Sequence, residues 1–153
     1  MWTYEKKLQY PVKIKNPDPQ AAQIIISQLG GPDGELAASM RYLHQRYSMP
    51  NKKVAGLLTD IGTEELAHLE IIAAILYQLT RNLKAEDIAG TPFATYFVDH
   101  TTGLYPTSAA GVPFDMKYVG IKGDVIADLN EDLAADVAIL QMQPLSKNRR
   151  KPL

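Results

Sequence analysis

The chain has no cysteine, which excludes disulfides, thiolate catalysis and thiolate metal sites. It has no surplus of either charge: 16 basic residues stand against 17 acidic ones, a formal net charge of −1. That balance creates no field to draw in nucleic acid or an anionic membrane. Long apolar runs are also missing, and the longest, Ile71–Tyr77, is far too short to span a bilayer. Met1–Lys7 is charged and aromatic with no apolar signal core behind it. There is no G-x-G-x-x-G, P-loop, G-x-S-x-G or H-E-x-x-H. The expectation left by these absences is a soluble globular protein of cytoplasmic synthesis.

A chain of 153 residues is one domain by the usual prior, and is long enough to bury a core. Its first 17 residues have no helical period and read as an extended arm. Asp18-Pro19 is an N-cap and first-turn pair, after which Ala22, Ile25, Ile26 and Leu29 form a helical stripe that Gly30-Gly31 stops. Pro32-Asp33-Gly34 starts a second helix running to about Tyr47. From Lys52 to about Asn82 the pattern is longest, with Leu57, Leu58, Ile61, Leu69, Ile72 and Leu76 on a broad apolar face. These two segments predict an antiparallel helix pair. Residues from about 83 to 122, rich in Gly and Pro, read as a short helix over Leu83–Ala89 followed by a long crossover loop. A helical period returns at about Asp124, with Leu129, Leu133 and Leu140 in one stripe, and Pro144 ends it. The domain is therefore expected over residues 1–143, with 144–153 a basic, disordered tail.

The chemistry lies in polar residues set into these apolar faces. Glu65 and His68 are three residues apart within LLTDIGTEELAHLEII, so both leave one face of the long helix. Glu35 shares a face of the second helix with Ala38 and Tyr42. Like charges brought together in a core must protonate or find a cation, which makes a metal the natural reading. Each segment alone has a blander explanation. Glu35 would favour its helix N-terminus through the dipole. Glu64 could pair with His68 on a solvated acidic face. On the last helix Asp136 interrupts the apolar stripe and is the best candidate to point inward, whereas Asp128 and Asp132 drift to one edge and are expected to be solvated. His44 falls on the far side of its helix from Glu35, and His100 lies in the crossover loop; both read as surface or structural.

With these segments in hand, the chain resembles the manganese catalases, a branch of the ferritin-like carboxylate proteins, and among them the spore-coat members of endospore-forming bacteria. The segments that carry the likeness are MWTYEKKLQYPVKI at 1–14, GGPDGELAASMRYLHQRY at 30–47, LLTDIGTEELAHLEII at 57–72, AAGVPF at 109–114 and GDVIADLNEDLAAD at 123–136. The resemblance implies an all-α, ferritin-like up-down helix bundle with a long crossover loop. It implies two manganese ions, hydrogen peroxide as substrate, dismutation to water and oxygen, and a homo-oligomer, commonly a hexamer. It also implies Glu35 as a terminal carboxylate ligand, Glu65 as a bridge, His68 as a ring-nitrogen ligand, and Tyr42 behind them orienting a carboxylate.

Two departures shape the expectation for this chain. The family's second bridging carboxylate is a Glu, and the matching position holds Asp136, whose reach is shorter by about 1.5 Å. The likeness then stops, and QMQPLSKNRRKPL matches nothing in the family. The expected bundle accordingly lacks the fourth helix and its second histidine ligand, as in a truncated or frame-shifted product. Apolar strips would be left exposed, and one metal ion, or none, would be held instead of two. Three functions compete: a dimanganese catalase, a non-catalytic spore-coat building block with a vestigial site and other coat proteins as partners, and a di-iron ferritin-like protein.

Overall fold

The structure is a computed structural model. It describes residues 5, 7–30, 34–91, 94, 97–99, 104–106, 115, 117, 119 and 121–142, the side chains of 97–99, 104–106 and 136–142 excepted. Helices dominate: α1 (Pro19–Ile25), α2 (Ser27–Gly30), α3 (Glu35–Gln45), α4 (Lys52–Thr80), α5 (Ala85–Ile88) and α6 (Val125–Met142). Strands β1 (Phe97–Asp99) and β2 (Leu104–Pro106) pair antiparallel between α5 and α6, with Val98 opposite Tyr105.

The helix ends follow from side chains that satisfy orphan amides. Asp18 Oδ1 accepts from the backbone N–H of Gln20 at 3.0 Å and of Ala21 at 3.1 Å, and Pro19 supplies a preset first turn. Asn51 caps α4 through the Lys53 N–H at 2.9 Å. Asp124 accepts from the Ala127 N–H at 2.9 Å and starts α6. The single helix expected over 19–29 is broken after Ile25, so α1 and α2 are separate pieces. The crossover segment is not all loop, because β1 and β2 lie within it. The expected disordered tail lies outside the described residues.

Two apolar clusters hold the helices together. Ala22 and Ile26 pack with Leu76, Leu79 and Ile88, which docks the first helix on the end of α4. Ala38, Tyr42, Met49 and Leu58 form the other, with Val54, Ile61, Val125 and Leu129 packed against it, which brings α6 onto the α3–α4 pair. The arm ahead of α1 is strapped to α4. Gln78 accepts from the Ile14 N–H at 2.7 Å and donates to Val12 O at 2.8 Å, while Arg81 donates to Ile14 O and Lys15 O at 2.8 and 2.6 Å. No helix among the described residues is long and apolar enough to cross a membrane.

Some expected core positions are exposed. Leu57 is 57% and Leu133 66% accessible, and Ile126 on α6 is 69% accessible. A helical period marks which residues share a stripe, but not how far along the helix a neighbour covers it.

Candidate metal centre

α3 and α4 come into tight contact at Gly62. A Cβ there would lie 2.8 Å from Leu43 Cγ and 3.1 Å from Tyr42 Cβ, so only glycine lets the backbones come this near. Ser39 Oγ uses the gap to donate to Gly62 O at 2.8 Å. The pair is antiparallel, so one turn back along α3 from Ser39 corresponds to one turn forward along α4 from Gly62. That register sets Glu35 opposite Glu65 and His68.

The three side chains meet there. One ligand atom from each of Glu35, Glu65 and His68 lies within 4.8 Å of the other two. His68 Nδ1 is 2.8 Å from Glu65 Oε2 and 3.9 Å from Glu35 Oε2, so the same ring nitrogen faces both carboxylates. The carboxylates are largely withdrawn from water, with side chains 11% and 13% accessible, while the imidazole is 36% accessible and marks the open side. Tyr42 is buried, about two helical turns from Glu35 on α3. Glu64, the competing partner for His68, is exposed and accepts from Gln9 Nε2 at 3.4 Å instead.

Other positions divide. His44 is exposed and its Nδ1 lies 2.7 Å from Met40 O, away from the centre. Residue 136 is within α6, but the Asp136 side chain lies outside the described residues, as does His100. Asp128 and Asp132, expected to be solvated, are buried at 0% and 5% accessibility. Asp128 accepts from the Lys122 and Gly123 N–H groups at 2.7 and 3.1 Å, and Gln45 Nε2 donates to Asp132 at 3.0 Å. Their partners are a loop and a distant helix, which periodicity within α6 does not reveal. The sequence signal that could have been read is their four-residue spacing ahead of Asp136.

Two carboxylates and an imidazole are hard and borderline donors, a set that suits manganese or iron. Ferritin-like carboxylate bundles with two metal ions draw a Glu from each of two helices and a Glu-x-x-His from each of two others. Here α3 supplies one Glu and α4 one Glu-x-x-His, half of that set among the described residues.

Residues 1–145 match the model of the manganese containing catalase family. Protein CotJC of Bacillus subtilis is 54% identical over 136 residues, which cover 89% of this chain and 71% of that protein. A probable manganese catalase of Clostridium acetobutylicum is 35% identical over 140 residues, covering 89% of this chain and 61% of that one. The crystal structure of KatB, a manganese catalase from Anabaena PCC7120, superposes with a TM-score of 0.77 at 28% identity, over 93% of this chain and 64% of that chain. The chain belongs to the manganese catalase family, and its helical fold is the ferritin-like one. It spans between 53% and 71% of the lengths of the curated relatives it matches.

Proposed function

We propose that this chain, as a single domain over residues 1–143, dismutates hydrogen peroxide at a manganese centre. Two molecules of peroxide would give two of water and one of oxygen. The observation that carries the reading is the convergence of Glu35, Glu65 and His68 from two helices, with one ligand atom of each within 4.8 Å of the others. By the resemblance, Asp136 adds a further carboxylate and Tyr42 holds one of the others in place. Family membership supplies the metal and the substrate class.

Manganese, when bound, supplies the two-electron redox chemistry that peroxide dismutation needs. The protein's part is to hold charge and protons. Glu35 and Glu65 place two negative charges where a divalent cation neutralises them. The contact between His68 Nδ1 and Glu65 Oε2 sets the ring beside the carboxylate, and with Glu35 these are the residues that would hold a cation. Peroxide reaches the centre from the side where His68 is accessible. One half of the reaction releases two protons and the other consumes two, so protons must be held beside the centre between the halves. Assembly as a homo-oligomer, a hexamer by the family resemblance, and deposition in a spore coat belong to the same reading.

A second reading, a non-catalytic building block whose site is vestigial, is favoured by one observation. Among the described residues the centre holds one imidazole, where the two-ion pattern uses two. An oxygen electrode separates the two. If the protein is an enzyme, oxygen release from peroxide rises in proportion to manganese bound, and Glu65→Ala abolishes it. Stoichiometric manganese with no oxygen release leaves the vestigial reading. Iron bound in preference, with oxygen consumed, would instead make it a di-iron protein.

A further inference from the structure

A buried polar bond ties α6 to α3. Gln45 Nε2 donates to Asp132 Oδ1 at 3.0 Å, across 87 residues of sequence. Gln45 is 0% and Asp132 5% accessible. A carboxylate removed from water to this degree is costly unless its partners are well placed, so the pair fixes a geometry. One turn earlier, Asp128 is fully buried and accepts from the Lys122 and Gly123 N–H groups at 2.7 and 3.1 Å. α6 is therefore held twice along one side. Its own leading loop holds it at Asp128, and α3 holds it at Asp132.

Positions 128, 132 and 136 recur every four residues, so they follow one another along that side with a drift of about 40° per step. Asp132 stands outside the group of atoms within 4.8 Å, which among the described residues comprises Glu35, Glu65 and His68. Its partner Gln45 lies at the other end of the helix that begins with Glu35.

We propose that Gln45 and Asp132 are positioning residues for the metal centre. Their bond sets the slide and rotation of α6 against α3, and so sets where the backbone of α6 presents position 136. The proposal rests on the metal-binding reading above. An aspartate at 136 makes the demand stricter. A slip of α6 by one residue moves the backbone about 1.5 Å and turns it about 100°, and a side chain one methylene shorter than glutamate absorbs less of that error.

The test is Mn(II) affinity by calorimetric titration of the full chain, read beside the visible spectrum of the Co(II)-loaded protein, which reports coordination geometry. Gln45→Leu removes the donor, and Asp132→Asn keeps an acceptor oxygen for Gln45. The expected result is that Q45L weakens Mn(II) binding about tenfold and changes the Co(II) spectrum, with helix content unchanged, while D132N stays within about threefold of the native chain. In an Asp136→Ala background Q45L should cost nothing more, because the group it positions is gone. Asp132→Ala repeats the comparison from the other side of the bond if Q45L does not fold. The inference is overturned if Q45L leaves affinity and spectrum unchanged, or if its loss adds in full to that of D136A. Glu65→Gln distinguishes the failures. If the native chain binds Mn(II) no better than E65Q, the metal-binding reading has failed and this inference with it. If E65Q loses binding while Q45L behaves as native, only the positioning role falls.

Discussion

His68 Nδ1 and Glu65 Oε2 stand 2.8 Å apart, a hydrogen bond between neighbours one turn apart on α4, with Glu35 Oε2 of α3 only 3.9 Å from the same nitrogen. One nitrogen facing two carboxylates is how a divalent cation is gripped. It is also an arrangement in which protons and the metal compete for the same atoms.

That competition gives the first prediction. Ligands must be deprotonated to hold Mn(II), so metal and protons compete at Glu35, Glu65 and His68, and binding at acidic pH should release protons. Apparent affinity should fall steadily as pH is lowered, because protonating any of the three groups removes a ligand. Calorimetry in buffers of different ionisation enthalpy counts the protons. A binding heat that does not depend on the buffer would count against the arrangement.

Metal binding should stabilise the fold, because the three ligands come from two helices and are gathered only in the folded chain. At a free Mn(II) concentration about 100-fold above Kd, linkage gives about 2.7 kcal/mol. For a chain of 153 residues this is a rise in Tm of about 5–10 °C. A chelator should reverse the rise, and His68→Ala should abolish it.

Gly62 should be intolerant of a side chain. The atoms a Cβ would meet are Leu43 Cγ and Tyr42 Cβ, at 2.8 and 3.1 Å, which sit close to their own backbone and have little room to move. Gly62→Ala gains about 1 kcal/mol of helix propensity and loses about 1–3 kcal/mol to overpacking. The expected net effect is destabilisation, larger for Gly62→Val, with Mn(II) affinity reduced as Glu35 is pushed away from α4. Denaturant melts and metal titration of both variants check it.

Asp128 carries the turn into α6. Replacing it with alanine strands the Lys122 and Gly123 N–H groups that it accepts from. The expected cost is about 1–3 kcal/mol, since one buried acceptor serves both part-buried donors. Asp128→Asn, which keeps one acceptor oxygen, should recover part of that cost in the same denaturant melts.

Much of this was legible in the sequence, because the information was local. Three-residue spacing places Glu65 with His68, and the Asp18-Pro19 pair marks where α1 begins. What was not legible depends on partners far along the chain. Asp128 and Asp132 read as solvent-facing because the groups that satisfy them are the Lys122–Gly123 backbone and Gln45. Leu57 and Leu133 read as core because a stripe does not announce where its cover ends. The break after Ile25 and the β1–β2 pair lacked a turn or alternation signal strong enough to stand out.

The most direct measurement is pulsed electron paramagnetic resonance on the Mn(II)-loaded chain. If Glu35, Glu65 and His68 share an ion, the spectrum carries the nitrogen coupling of a directly bound imidazole, and His68→Gln removes it. Bound manganese with no nitrogen coupling, or a coupling that survives the loss of His68, would contradict the account.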